Sequence, residues 1–476
     1  MAFVRVAKHY VNGPLFALGG VEAAVHFAAV YAAAHLRFIG SGGHIPTLVA
    51  QNVGDLAPRA FAYAAVMILA MFALGLYQAR LREGFAGITV RTLVAMSLGF
   101  VALTVVFYVV PSLYFGRGVL LLATALSMVF VLLIRGSLWK LVDRRPFKRR
   151  ILVLGAGDKA ASINRFLRRK TDRYGFDIVA YLQPPDTRVA VDAGKDRVIT
   201  IERPIPSYAA ELGAREIVIA MDERRQTFPL DDLLDCKLEN VDVIDLIAFF
   251  EREAGKVKLD QLSPSWLIYS DGFQGGAMRD ISIRAFDIVV SLVLLLITWP
   301  FMLVTTLAIL LECRGARPCP VLYRQKRVGL GGKAFDVIKF RSMRTDAEQD
   351  GRPRWASKDD DRVTRVGKII RKIRVDELPQ IFNVLKGDMS FVGPRPERPE
   401  FVEELSRKLP YYGERHRVKP GITGWAQLCY PYGSSDRDAM EKLQYDLYYV
   451  KNRTLFLNLI IVFQTAEVIL FGKGAR

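Results

Sequence analysis

The sequence predicts a multi-domain membrane protein, with a four-helix transmembrane N-terminal unit, a Rossmann-like α/β middle domain and a mainly α, monotopic C-terminal domain carrying a re-entrant membrane helix. Three observations predict it. Four apolar runs of near-spanning length fill the first third of the chain. A strand, a glycine turn and a helical pattern open the middle. A second apolar segment, after residue 285, is basic on both flanks. The averages say less: 51% hydrophobic residues among 476 is just above the ordinary soluble range of about 45–50%. That content excludes a disordered chain, and its segregation into blocks excludes a simple soluble enzyme.

The apolar runs cover roughly 15–36, 57–79, 92–115 and 118–134, each near the ~20 residues that a helix needs to cross a bilayer. The first is too long for a signal-peptide core and three more follow it, so it reads as retained. Lys and Arg near the ends set the orientation. Arg5 and Lys8 precede the first run, and Arg80, Arg82 and Arg91 separate the second from the third. Arg135, Lys140, Arg144, Arg145, Lys148, Arg149 and Arg150 follow the fourth. The other two loops hold little beyond Arg37, Arg59 and Arg117, so both ends of this unit, residues 1–145, face the cytoplasm. Glu22 lies inside the first run. An ionisable group in hydrocarbon is a functional candidate by default. The plainer reading is a protonated or interhelically bonded carboxyl that orients helix packing.

Residues 151–154 read as a buried strand, followed by Gly155-Ala156-Gly157-Asp158-Lys159-Ala160 and a helical pattern through Lys170. Such a Gly-x-Gly-x-x-Ala turn opens a Rossmann-like unit. Strand candidates at 178–182, 216–220 and 241–246 extend it to a small α/β domain over 146–265. Dinucleotide binding calls for an acid at the end of the second strand, on the ribose hydroxyls. Gln183-Pro184-Pro185 stands there instead, so the domain reads as a retained scaffold, for dimer contacts or regulation, ahead of a nucleotide site. The cysteines Cys236, Cys313, Cys319 and Cys429 are too scattered for a disulfide framework. No second Cys/His pair completes a zinc site around Cys313 and Cys319, and all four read as reduced thiols.

Residues 288–311 are apolar apart from Ser291, Thr298, Thr305 and Thr306, long enough for a fifth span. Two features argue for a broken helix that dips in and returns. Pro300 removes a helical hydrogen bond in mid-segment. Arg279 and Arg284 precede the segment and Arg314, Arg317, Arg324, Lys326 and Arg327 follow it, and a true span would put one cluster outside. Asp287, at the segment's start, reads as a partner for neighbouring cations or as a helix cap.

From Arg314 to Arg374 the chain has 18 Lys/Arg against 7 Asp/Glu, a surplus of +11 out of the total +18. Such a patch meets polyanions. Beside a membrane segment, a lipid phosphate or a nucleotide diphosphate fits better than nucleic acid. The bland alternative is a solvated face against lipid headgroups. In Lys339-Phe340-Arg341-Ser342-Met343, a strand period would put Lys339 and Arg341 on one face, suited to a pyrophosphate. Next comes Arg371-Lys372-Ile373-Arg374-Val375-Asp376-Glu377-Leu378-Pro379-Gln380. Pro379 fits the first turn of a helix, whose dipole would hold Asp376 and Glu377 ionised at its N-terminus. An ionised Asp among cations is a competent nucleophile toward phosphorus, and a neighbouring Glu suits Mg²⁺; a plain helix cap is the alternative. In Gly393-Pro394-Arg395-Pro396 two prolines preset an Arg for bidentate phosphate recognition. Trp425 reads equally as an interface anchor or as core. Residues 455–471, interrupted by Asn458, Gln464 and Glu467, suit an interfacial or packed helix.

Over residues 279–476 these pieces together resemble the catalytic domain of bacterial polyprenyl-phosphate glycosylphosphotransferases, the initiating sugar transferases of exopolysaccharide synthesis. Arg284-Ala285-Phe286-Asp287, Tyr323-Arg324-Gln325-Lys326-Arg327-Val328-Gly329, Lys339–Met343, Asp376-Glu377-Leu378-Pro379-Gln380 and Gly393-Pro394-Arg395-Pro396 carry the resemblance. The whole layout is similar to the exosortase-associated (PEP-CTERM) type. Ile283 stands where the family usually has Lys, which shifts that cation's role to Arg279 or Arg284. The resemblance implies a phosphoglycosyl transferase domain over 279–476 with its re-entrant helix at 285–311, at the bacterial inner (cytoplasmic) membrane. It implies that Asp376 attacks a UDP-sugar, releases UMP and passes the sugar phosphate to undecaprenyl phosphate. Mg²⁺ would sit on Glu377 and Asp376, and Lys339, Arg341, Arg371, Arg395 and Arg284 would bind substrate. Partners are then the UDP-sugar, undecaprenyl phosphate and the bilayer, with no nucleic acid, in a homodimer; the sugar itself is not legible. Two other readings stand beside this one. An NAD-dependent nucleotide-sugar modifying enzyme, tethered to the membrane, would use the Gly155–Ala160 turn. A non-catalytic assembly scaffold would not need the Asp376-Glu377 pair.

Overall fold

The computed structural model describes residues 3–6, 9–39, 44–77, 85–142, 148–167, 173, 175–185, 187–192, 194–223, 228–262, 276–312, 320–344, 362–430, 433 and 435–471. The chain divides into two compact units, Met1–Ala254 and Gly255–Arg476. Residues just past 254 pack with the second unit: Val257 N–H donates to the Gln444 carbonyl and Trp425 Nε1 to the Gly255 carbonyl, at 3.0 and 2.8 Å. Cys313, Cys319, Arg314 and Arg317 lie outside the described residues, as do Arg80, Arg82, Arg144 and Arg145.

The first unit opens with an antiparallel hairpin, β1 (Phe3–Val6) and β2 (His9–Asn12), that the apolar pattern did not announce. Helix α1 (Gly13–Arg37), a short α2 (Ile45–Asn52), α3 (Leu56–Ala73), α4 (Phe85–Val109) and α5 (Arg117–Val142) follow. All but α2 are long and apolar enough to cross a membrane. Helix α4 begins and ends earlier than the run at 92–115. A turn at Pro111–Leu113 stops it, and Arg91 is accommodated inside, its guanidinium donating to the Leu74 carbonyl at 3.1 Å. Arg135 lies inside α5. Its guanidinium grips Glu22 through Nε at 2.7 Å and Nη2 at 2.8 Å, while the Tyr77 hydroxyl donates to the same carboxylate at 2.5 Å. Glu22 and Arg135 are buried, so the Glu of the first run is an interhelical tie from α1 to α5.

The middle of this unit is a five-stranded, wholly parallel sheet in the order β5-β4-β3-β6-β7: β3 (Arg149–Leu154), β4 (Phe176–Gln183), β5 (Val198–Thr200), β6 (Glu216–Ile219) and β7 (Asp242–Asp245). Helices α6 (Asp158–Phe166), α7 (Ile205–Glu211), α8 (Leu230–Leu238) and α9 (Leu246–Ala254) connect or follow the strands. Ile151, Leu152, Val153 and Leu154 are fully buried, as a strand covered on both faces requires. The three-residue β5 escaped the sequence reading. Arg149 was counted as a flanking charge but is buried against Glu216, at 3.0 Å.

After a 3₁₀ turn at Leu259–Gln261, the first long helix of the second unit is α10 (Ala277–Glu312). It starts before residue 285 and stays helical on both sides of Pro300, so the expected break is not a break in secondary structure. Its two ends are held by the same unit. Near the start, Arg284 donates to the carbonyls of Val384 and Leu385 at 2.6 and 2.7 Å, and Asp287 accepts from Ser390 Oγ and Phe391 N–H at 2.9 and 2.8 Å. At the far end, Ile309 is buried with Phe340 and Ile370, and Glu312 accepts from the N–H groups of Arg365 and Val366 at 2.8 and 3.2 Å. Between the ends, Val289, Leu292, Leu296, Trp299, Phe301 and Val304 are exposed. A two-stranded antiparallel sheet, β8 (Leu322–Val328) and β9 (Ala334–Phe340), follows. Then come α11 (Arg365–Lys372), α12 (Gln380–Lys386), β10 (Ser390–Val392), α13 (Pro399–Lys408), β11 (Gly421–Thr423), α14 (Trp425–Cys429), α15 (Asp436–Asn452) and α16 (Leu455–Phe471). Strands β10 and β11 pair in parallel. Trp425 is core, stacked near Tyr448. Helix α16 packs through Leu457 and Ile461, with buried Asn458 accepting from the Tyr449 hydroxyl at 2.9 Å.

Candidate functional site

The site forms where β9, the turn after α11 and the loop after β10 meet. Thr364 caps α11, its hydroxyl accepting from Gly367 N–H at 2.9 Å, and a Cβ at Gly367 would stand 2.0 Å from the Ser342 carbonyl oxygen. The chain leaves α11 through Arg374, in the left-handed region at φ 61°, and enters a single 3₁₀ turn, Val375–Glu377. Pro379 stands just before α12 with helical dihedrals, rather than inside its first turn. The acidic pair thus occupies its own turn, ahead of the helix. Val375 packs on the Ile309, Phe340 and Ile370 cluster, which sets that turn against the end of α10.

Asp376 is 8% exposed. Burial, reinforced by the neighbouring Glu377 charge, pushes its carboxyl up to about 6, against the pull of Lys339, Arg371 and Arg374. The sequence predicts an Asp376 held ionised by the dipole of the helix that follows; burial works against that charge, yet at about 6 the group is still mostly ionised at neutral pH. Glu377 goes the other way. Burial disfavours its charge too, but Arg395, Lys339 and Arg374 prevail and hold it far below the usual carboxylate range. Lys339 Nζ lies 3.3 Å and Arg395 Nη2 3.1 Å from Glu377 Oε1, and Arg374 Nη1 lies 3.6 Å from Oε2. Burial and the nearby Arg395 lower Lys339 from its ordinary value. Two adjacent acids are therefore tuned apart, one toward neutrality and one locked as an anion.

Second-row residues fix this arrangement. Buried Asn383, on α12, accepts from Ile338 N–H at 3.0 Å and donates to the Asp336 carbonyl at 2.7 Å, so it pins β9 where Lys339 overlooks Glu377. The Gly393-Pro394-Arg395 stretch lies so close to Lys419–Gly421 that a Cβ on Gly393 would meet the Lys419 carbonyl oxygen at 2.4 Å. The predicted Lys339 and Arg395 are brought to the acidic pair, and Arg371 contributes to the field at Asp376. Arg341 is half-buried one residue past β9. Arg284 is placed otherwise: its two terminal nitrogens donate to carbonyls at the end of α12, so it ties α10 to that end. Asp287, with the charges of Arg284 and Lys419 nearby, fastens α10 to β10 rather than capping a helix. Arg374 and Asn383 went unassigned in the sequence. The i−3 spacing of Arg374 from Glu377 was a legible signal; Asn383 offered none before its partners were known.

Among the described residues no three His, Cys, Asp or Glu side chains gather as a metal cluster. Asp376 and Glu377 supply hard oxygen donors, and Mg²⁺ typically takes one or two carboxylates and completes its shell with phosphate oxygens and water. The pair fits that pattern, although both oxygens of Glu377 here face cations.

The glycine turn of the middle domain has a different occupant from the one its pattern suggests. Asp222 accepts from the N–H groups of Asp158 and Lys159, at 2.8 and 2.9 Å, at the start of α6. Those are the donors that a dinucleotide's pyrophosphate would need. Gly157 exists to admit this side chain, since a Cβ there would fall 1.8 Å from Asp222 Oδ2.

Residues 278–472 match the bacterial sugar transferase family. The chain is 32% identical over 361 residues to a UDP-glucose:undecaprenyl-phosphate glucose-1-phosphate transferase of Xanthomonas campestris pv. campestris, covering 72% of this chain and 71% of that protein. It is 43% identical over 249 residues to a UDP-N-acetylgalactosamine-undecaprenyl-phosphate N-acetylgalactosaminephosphotransferase of Aeromonas hydrophila. That match takes in 51% of this chain and only 56% of the Aeromonas protein. An exopolysaccharide production protein of Rhizobium leguminosarum bv. phaseoli is 43% identical over 200 residues, 40% of this chain and 96% of that one.

Proposed function

Because the chain belongs to the bacterial sugar transferase family, we propose that it moves a sugar 1-phosphate from a UDP-sugar to undecaprenyl phosphate, releases UMP, and so initiates an exopolysaccharide. The observation that carries this reading is the pair of adjacent buried acids with opposed tuning. A nucleophile toward phosphorus must be available both to ionise and to bond, which suits Asp376 at about 6. Its neighbour must stay charged to organise cations, which suits Glu377. Lys339, Arg371, Arg374 and Arg395 against the two carboxylates leave 4 − 2 = +2 near the pair, complementary to the two charges of a nucleotide-sugar diphosphate.

The steps follow from these groups. A carboxylate oxygen of Asp376 bonds to the sugar-bearing phosphorus while the bridging P–O bond breaks, and UMP leaves with that bridging oxygen. A phosphate oxygen of the lipid then bonds to the same phosphorus, and the Asp376 carboxylate is regenerated. Lys339, Arg374 and Arg395 turn from Glu377 to the non-bridging oxygens as charge accumulates there. Glu377 and Asp376 would hold Mg²⁺, which when bound offsets diphosphate charge. The scaffold alternative gives no reason to bury an acid at such a cost. The NAD-dependent alternative needs the donors that Asp222 already uses.

The membrane part of the proposal rests on α10. A helix with both ends fastened to one unit and an apolar middle exposed fits insertion from one face, the re-entrant arrangement, better than a span. With the basic residues on both flanks, this supports a cytoplasmic position, at the inner membrane, for the middle domain and the second unit. The proposal extends to a homodimer, which light scattering in detergent would read. The test of the chemistry is UMP release by the full chain across a panel of UDP-sugars with undecaprenyl phosphate in nanodiscs. Rapid quenching with labelled donor should leave the label on the peptide containing Asp376. Turnover with the label elsewhere would refute the covalent step.

A further inference from the structure

Arg395 is the cation whose pull on Glu377 is largest, yet it sits on a loop, not on a helix or strand. A loop arginine with a free backbone would sample many poses, and each immobilised one would cost conformational entropy on binding. The surroundings remove that freedom carbonyl by carbonyl. Gly421 N–H donates to the Pro394 carbonyl at 3.0 Å, Arg327 Nη1 to that of Pro396 at 3.3 Å, and Val328 N–H to that of Glu397 at 3.0 Å. The carbonyl of Arg395 itself accepts from Arg415 Nη2 at 2.9 Å. Arg415 is 6% exposed, and the same Nη2 pairs with buried Asp446 on α15 at 2.9 Å. Its Nη1 donates to the hydroxyl of buried Tyr412 at 2.7 Å.

We propose that Arg415, held by Asp446 and Tyr412, is a positioning residue for the transfer: it fixes the backbone of Arg395 so that the guanidinium meets the donor's diphosphate already aimed. A buried ion pair contributes little net stability compared with a well-packed apolar pair, so its value here lies in geometry. This inference rests on the proposed transferase reading, and the experiment separates the two. The probe is UDP, whose binding to the full chain in detergent is measured without turnover. Arg415→Lys retains charge but loses the paired donors, and should weaken UDP about tenfold, as losing a hydrogen bond from a charged donor does. Tyr412→Phe, the milder variant should Arg415→Lys fold poorly, should weaken it about threefold. In an Arg395→Lys background, where a cation still meets the diphosphate, either change should shift UDP binding less than about twofold, because coupled residues are not additive. Thermal unfolding should shift equally in both backgrounds. Equal weakening of UDP in the two backgrounds, or none in the native one, overturns the positioning role while leaving the transferase reading intact. A native chain that binds UDP with this coupling but releases no UMP would instead overturn the transferase reading alone.

Discussion

Asp376 and Glu377 differ by one position in the chain and in opposite directions in acidity, and both differences come from their neighbours. Because Asp376 is raised from 3.8 to about 6, the native state holds its proton more tightly than the unfolded chain. Stability from this group is therefore full below the unfolded value and falls as pH rises through about 6. At neutral pH the ionised, buried form costs on the order of 2–3 kcal/mol. Asp376→Asn should abolish UMP release and yet raise the melting temperature; a drop of several degrees would contradict that assignment of strain. Activity of the native protein should decline about tenfold per unit below pH 6 as the nucleophile protonates. In Glu377→Gln the like charge that helps raise Asp376 is gone, so the acid limb of the residual rate should move to lower pH. At this scale the sequence singled out the acidic pair by residue type and by the Pro379 that follows. It could not show that Asp376 is buried, because the turn that carries it is seated through Val375 on Ile309, Phe340 and Ile370, which come from distant parts of the chain.

At the scale of elements, the apolar runs located α1, α3, α4, α5, α10 and α16, and the glycine turn located β3 and α6, while the polar α15 went unannounced. Endpoints were harder to read. Arg91 and Arg135 looked like loop charges because a charge ends an apolar run on paper, while in the fold carbonyls and Glu22 receive them inside the helices. The short β5 and the β1–β2 hairpin have too few residues to show a period. Arg284 was read from its motif as a substrate cation, and its bonds to the carbonyls of Val384 and Leu385, a hundred residues on, were not legible there. Asn383 behaves as a false strand for β9, supplying one donor and one acceptor to its edge. Asn383→Ala should cost about 2–4 kcal/mol by thermal or denaturant unfolding, since two buried backbone groups lose partners. It should also weaken UDP binding by releasing Lys339. For α10, single cysteines at Met278 and Leu322, both exposed, should react with an impermeant maleimide from the same side of sealed vesicles. Labelling from opposite sides would establish a span.

For the whole molecule, the two units read as different kinds of object. The first buries its charges in pairs such as Glu22–Arg135 and Arg149–Glu216, and fills its one nucleotide-like turn with Asp222. Added NAD should leave its melting temperature unchanged; a rise that saturates with NAD would reopen the cofactor reading. The second unit gathers cations around two acids beside a membrane helix. The proposed insertion of α10 would give it a bilayer attachment of its own. The clasp at both ends of α10 means that cleaving the chain after Ala254 would not set the reactive portion adrift. The severed fragment should still sediment with lipid, its greasy keel intact, and leave only when surfactant replaces the bilayer around that keel.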